Sequence, residues 1–194
     1  MRSKIPRELR DRLFSEGKFY VTEINEETIR SLEDWILSNR IGKSPKTEFT
    51  IVINSSGGLP EWIVYFASFV RTLSPNVRLT GVTFGECGSS ALALLQCCHK
   101  RIAVKHSCFF IHNMHKTIRV NCQDVKWNDL AKKIERSKKL EKELVKLQSK
   151  RAGMTVSAWR TLAREGESIV SEIHANEAKK LGLIDAVVDE YPIF

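Results

Sequence analysis

Two hydrophobic rhythms alternate along the chain. Short β-branched or aromatic runs recur at 18–22 (Lys-Phe-Tyr-Val-Thr), 48–53 (Glu-Phe-Thr-Ile-Val-Ile), 77–84, 101–104, 108–111 and 183–188, and predict strands. Between them, apolar residues fall at helical spacing. Asn25 caps a helix with Ile29, Leu32, Trp35 and Ile36 on its inner face. Pro60 opens a second helix, carrying Trp62, Ile63, Phe66, Phe69, Val70 and Leu73, and Ser74-Pro-Asn76 stops it. Further helices are predicted over 89–95, 123–152, 156–164 and 175–182, the last ended by Gly182. The stretches 54–58 and 85–88 read as turns. Strands alternating with helices predict an α/β fold with a mostly parallel sheet, in a single domain spanning residues 1–194.

The long predicted helix changes its apolar face. Trp127, Leu130 and Ile134 share one side, while Leu140, Leu144 and Leu147 share another about a third of a turn away. Such a helix leaves one packing partner and meets another, which predicts an element projecting from the domain onto a second subunit.

At 194 residues the chain is long enough for its own core, and 42% hydrophobic with 28% charged residues excludes a disordered chain. No apolar run reaches the ~18 residues of a membrane span. The first residues, Met1-Arg-Ser-Lys-Ile-Pro-Arg-Glu, show no apolar signal region, so a cytoplasmic protein is expected. Five cysteines, two of them adjacent (Cys97 and Cys98) and none in a Cys-x-x-Cys pair, read as reduced, mostly buried thiols. The net charge of +8 is concentrated: residues 116–151 hold twelve Lys and Arg against five Asp and Glu. Pairs such as Glu135/Lys139, and no aromatic ladder, make this the solvated face of a helix rather than a nucleic-acid surface.

Three local patterns carry candidate chemistry. Tandem glycines in Asn54-Ser-Ser-Gly-Gly58, directly after a strand, let backbone N–H groups form an anion-binding nest. In Gly85-Glu-Cys-Gly-Ser-Ser-Ala91 a serine opens a helix, with its Oγ beside unused N–H donors. His112 ends the strand Cys108-Phe-Phe-Ile111, at a sheet margin where catalytic groups gather. Taken singly, each reads equally well as a turn, a helix cap or a structurally satisfied histidine.

Together, and in this order, they resemble the proteolytic subunit of the Clp protease, a serine peptidase of crotonase-like fold. Ile53-Asn-Ser-Ser-Gly-Gly58 is similar to that family's Ile-Asn-Ser-Pro-Gly-Gly, with Ser56 in place of the proline. Leu73-Ser-Pro-Asn76 resembles Ile-Lys-Pro-Asp, and Gly85-Glu-Cys-Gly-Ser-Ser-Ala91 resembles the nucleophile motif, with Ser89 at the reactive position. Phe110-Ile-His-Asn113 is similar to Met-Ile-His-Gln, and Glu177-Ala-Lys-Lys-Leu-Gly-Leu-Ile-Asp185 to Glu-Ala-x-x-x-Gly-Leu-x-Asp. The resemblance runs from about residue 10 to residue 190.

It implies Ser89 as nucleophile, His112 as base, and backbone N–H groups of Gly58 and Ser90 as the oxyanion hole. It also implies cleavage of peptides or unfolded proteins, with no cofactor and no metal. The expected oligomer is a homo-oligomeric ring, with residues 123–152 as the "handle" helix joining two rings.

The chain departs from the family in three places. The family aspartate that orients the histidine falls, by simple counting, on Val170. Shifting the register aligns Glu167-Ser-Ile-Val-Ser171 with Asp-Arg-Phe-Leu-Ser, leaves Glu172, Ile173 and His174 as an insertion, and makes Glu167 the candidate acid. Glu165 and Glu172 are runners-up, and a Ser–His dyad is the other solution. After His112 the family's glycine-rich stretch is replaced by Met114-His-Lys-Thr-Ile-Arg-Val120, where 117–120 is expected to offer an edge strand to a peptide and Lys116 and Arg119 to favour acidic ones. The short segment before Leu9 is expected to lack the axial loop that engages an ATP-driven unfoldase, which puts such a partner in doubt. The alternative functions are a catalytically weak or inactive structural subunit of the same fold, and another crotonase-fold hydrolase, which would need a coenzyme A site.

Overall fold

A computed structural model describes residues 16–41, 45–113, 126–168 and 172–190, with the backbone alone over 166–168. The short segment before Leu9, the edge strand expected at 117–120, the first residues of the long helix and Val170 lie outside the described residues.

The elements run β1 (Lys18–Val21), α1 (Glu26–Arg40), β2 (Glu48–Ser55), α2 (Glu61–Thr72), β3 (Arg78–Gly88), α3 (Ser89–Gln96), β4 (Lys100–Val104), β5 (Cys108–Phe110), α4 (Trp127–Arg151), α5 (Val156–Ser168), β6 (Ile173–His174), α6 (Ala175–Lys180) and β7 (Ala186–Val188). The sheet order is β1-β2-β3-β4-β7, with β5 on β3 and β6 on β5. Every pairing is parallel except β5 with β6. The fold is therefore mixed α/β with a mostly parallel sheet, as the alternating pattern predicts.

Asn25 caps α1 as expected, its side chain accepting from Thr28 N–H at 2.9 Å. Phe19 tilts against Trp35, which meets Phe49 edge-to-face, and the three rings help seal α1 onto β1 and β2. At the opposite margin Arg101 is buried. Its backbone N–H and its Nε reach one oxygen of Asp185 at 2.8 and 3.1 Å, and its Nη1 donates to the carbonyls of Gly182 and Arg151 at 2.9 and 3.1 Å. One guanidinium thus gathers β4, the end of α4 and the turn after α6.

Two expectations are corrected. Residues 85–88 are not a turn but the far end of β3, because Glu86, Cys87 and Gly88 pair with Cys108, Phe109 and Phe110 of β5. The segment read as an insertion, residues 172–174, joins the sheet: Ile173 and His174 pair with β5, and Ile173 is in the core. The second face of the long helix does not await another subunit. Leu144 is buried at 7% exposure, and Leu140 and Leu147 pack on this chain's own core. Among the described residues it is the first face that stays open, with Trp127 74% and Ile134 38% exposed. Over that half, Lys132 meets Asp129 at 3.8 Å and Lys138 meets Glu135 at 3.3 Å, pairs one turn apart on a solvated helix.

Candidate active site

β3 delivers Ser89 to the first position of α3, after Gly88 as the helix cap. Ser89 has φ +48°, the one non-glycine residue among those described with a left-handed backbone. An L-residue there costs about 1–3 kcal/mol and persists only where its surroundings enforce it. Here the enforcement is visible. Cys87 pairs with Ser55 on one side and Phe109 on the other, so the strand before the serine is held across its width. Burial pushes the Cys87 thiol well above its ordinary range, making it an inert packing group behind the serine.

The 54–58 loop lies against this junction. Ser55 Oγ accepts Gly57 N–H at 3.1 Å, Ile24 N–H donates to Gly57 O at 3.0 Å, and Leu59 N–H donates to Ile24 O at 2.8 Å. Gly57, at φ +125°, comes so close that an added Cβ would lie 2.9 Å from Ser89 Cβ and 3.2 Å from Ser90 N. Gly58, at φ +146°, leaves no room for a Cβ beside Ile24. Both glycines are thus required by conformation and by contact. The Gly58 N–H has no protein acceptor among the described residues.

The two serines separate clearly. Ser90 is buried and its hydroxyl donates to Gly58 O at 3.0 Å, a structural bond. Ser89 is half-buried. It lines a cavity of about 170 Å³ together with Gly58, Ser90 and His112, so the structure brings four of the five sequence-derived candidates to one place. His112 Nδ1 stands 2.6 Å from Asn113 O. A carbonyl only accepts, so Nδ1 carries the proton in this contact and Nε2 is left as the basic nitrogen.

The far wall is helical. Leu144, Val145, Trp159 and Ala163 from α4 and α5 make it apolar, and Glu141 and Gln148 give it polar points. Sequence reasoning singled out none of these as site residues. The helical periodicity marks Leu144 as buried but assigns its face to a second subunit, and Glu141 reads as one charge among many on a basic helix. Of the acid candidates, Glu165 is exposed. Glu172 is turned to Cys108, whose thiol donates to its carboxylate at 3.7 Å. Glu167 sits in the last turn of α5, and its side chain lies outside the described atoms.

Among the described residues no helix is long and apolar enough to cross a membrane. No curated protein matches the chain. A family model described as Clp protease matches residues 5–191. That span takes in the glycine loop, the strained serine and the histidine alike: the chain belongs to the Clp protease family, a family of serine peptidases.

Proposed function

We propose that the protein hydrolyses peptide bonds with Ser89 as nucleophile and His112 as general base. The observation that carries this reading is the enforced φ of +48° at Ser89, on a strand-to-helix junction that opens on the same cavity as His112. A strained elbow of this kind presents Oγ forward, clear of its own helix.

Oγ attacks the scissile carbonyl carbon as Nε2 of His112 takes its proton, and the carbonyl oxygen becomes an oxyanion. The Gly58 N–H and the Ser90 N–H, in the unused first turn of α3, are the donors assigned to it, each worth roughly 3–4 kcal/mol in the transition state. The imidazolium returns the proton to the leaving amine, the C–N bond breaks, and water then hydrolyses the acyl-serine by the same path in reverse. The Asn113 carbonyl fixes the histidine tautomer. Glu167 is the carboxylate assigned to stabilise the imidazolium. A cavity of ~150 Å³ admits a benzene-sized group, so the apolar wall suits one medium-sized apolar side chain of the substrate.

An oligomeric ring is the assembly proposed, with the exposed N-terminal half of α4 as a contact between subunits. A single peptidase active site open to solvent would degrade indiscriminately, and enclosure is the family's way of avoiding that. Dependence on an ATP-driven unfoldase is not part of the proposal.

The test is covalent labelling with a fluorophosphonate followed by peptide mapping. The adduct is expected on Ser89, absent in Ser89→Ala and undiminished in number of sites in Ser90→Ala. Labelling that survives Ser89→Ala would sink the assignment.

A further inference from the structure

Away from the serine, β5 and β6 build a second constellation. Cys108 and His174 are directly opposed in the antiparallel pair, with Sγ and Nδ1 3.7 Å apart. Glu172 precedes His174 by two residues, so it emerges on the same side of the chain, and its carboxylate is 3.7 Å from the thiol. The donor atoms of all three lie within 4.8 Å of one another. On the other side of Cys108, Glu86 of β3 is its register partner. Cys108 and Glu172 line an open cavity of about 890 Å³ with Glu86 and the 54–58 loop, so the group is reachable from solvent.

We propose that Cys108, Glu172 and His174 bind one zinc-class divalent transition-metal ion, with solvent as the fourth ligand. Ligands about 2.0–2.3 Å from a tetrahedral ion stand about 3.3–3.7 Å from one another; the thiol is already at 3.7 Å from each of the other two donors, and those two lie within 4.8 Å of one another. The donor set, one sulfur, one imidazole nitrogen and one carboxylate oxygen, suits zinc or cobalt and not calcium or magnesium, which take oxygen shells. Nδ1 of His174 is the donor, so its proton resides on Nε2. On binding, the Cys108 thiol gives its proton to solvent and the ion takes the thiolate. Glu172 accepts from the thiol and Glu86 is the register partner of Cys108, so a bare thiolate there would meet two carboxylates. A divalent cation relieves that repulsion. The bound ion would tie β5, which runs on into His112, to the segment joining α5 and β6.

The test uses the full-length protein, stripped with chelator, dialysed, and titrated with Co²⁺ alone. One ion per chain is expected, with a thiolate-to-cobalt charge-transfer absorption in the near ultraviolet that Zn²⁺ abolishes by displacement. Cys108→Ser should remove that absorption, and Glu172→Gln should keep it while weakening binding by at least the ~10–100-fold that loss of an outer-shell partner costs. Cys122→Ser serves as the control and should keep the absorption unchanged. Both Cys108→Ser and Glu172→Gln alter partly or fully exposed side chains, and thermal unfolding checks that they fold. The proposal is overturned by the absence of a charge-transfer band at millimolar Co²⁺, by a band that persists in Cys108→Ser or disappears in Cys122→Ser, or by Mg²⁺ or Ca²⁺ binding equally well.

Discussion

Gly57 and Ser89 stand in mutual contact, with room between them for no more than a hydrogen on the glycine: an added methyl would lie 2.9 Å from the serine Cβ. Gly57→Ala therefore asks for two things the fold cannot give, a left-handed alanine at φ +125° and a displaced Ser89. We expect a stability loss of about 1–3 kcal/mol with near-complete loss of fluorophosphonate labelling, read on protein that circular dichroism shows to be folded. Undiminished labelling would mean that Ser89 does not depend on this contact.

The strain at Ser89 gives a stability signature. Ser89→Gly removes the proposed nucleophile and the left-handed penalty together, so it should be more stable than wild type by up to about 1 kcal/mol in chemical denaturation. Ser89→Ala keeps the Cβ and the penalty, and should not gain. Ser90→Ala, which strips the Gly58 carbonyl of its donor, should lose about 1 kcal/mol and keep the labelled site.

The serine site was legible because each part is short-range. A glycine pair after a strand, a serine opening a helix and a histidine closing a strand are each written in a few consecutive residues, and only their meeting in one cavity needs the fold. Where partners are remote, the sequence misleads. Gly85-Glu-Cys-Gly88 has turn composition and is a strand, because β5 offers it a ladder. Leu140, Leu144 and Leu147 announce burial at helical spacing, and their change of face points to a second subunit, whereas the chain's own core covers them. Cys108 lies 66 residues from His174, and no spacing rule connects them.

Glu167→Gln tests the charge on the histidine. In serine peptidases where the carboxylate alone fixes the tautomer, its amide variant loses about 10⁴-fold in turnover. Here the Asn113 carbonyl already holds Nδ1–H, so a smaller loss is expected, on the order of 10–100-fold in peptide hydrolysis, with Glu165→Gln and Glu172→Gln near wild type. Wild-type rates in all three would leave the base without a glutamate partner.

Acid stability should report the Arg101–Asp185 cluster. Burial alone would push the Asp185 carboxyl up, but the hydrogen bonds and charge of Arg101 outweigh it and hold the group below the ordinary carboxylate range. A depressed carboxyl stabilises the fold above its ordinary pKa of about 4, and that contribution is lost as pH falls through the folded value. Denaturant midpoints should therefore fall more steeply below about pH 4 in wild type than in Asp185→Asn. At neutral pH the variant should lose about 2–3 kcal/mol, less than a fully buried pair because the Asp185 side chain is 40% exposed.

Assembly should respond to Trp127 and not to the leucines. Trp127→Asp is expected to reduce the native mass, measured by light scattering, while the monomer stays folded. Leu144→Asp should instead unfold the chain, since Leu144 belongs to its own core. An unchanged mass in the tryptophan variant would move the contact elsewhere.

The long β3 strand has a further consequence, for how such a protein can change. Cys87 is laced to neighbours on both sides, so the backbone entering Ser89 has no slack, and a slip of one residue would turn every following side chain to the opposite face. The opposite wall of the cavity is made by helices with no such lacing. Leu144, Trp159 and Ala163 belong to the core as well as to the wall, so changes of size there reshape the cavity at a cost in packing while the β3–α3 junction stays in place. On the proposed function, chemistry and selectivity would thereby be inherited on separate parts of the chain: the sheet would fix what reaction is done, and drift on the helices would alter which side chain is accepted beside it.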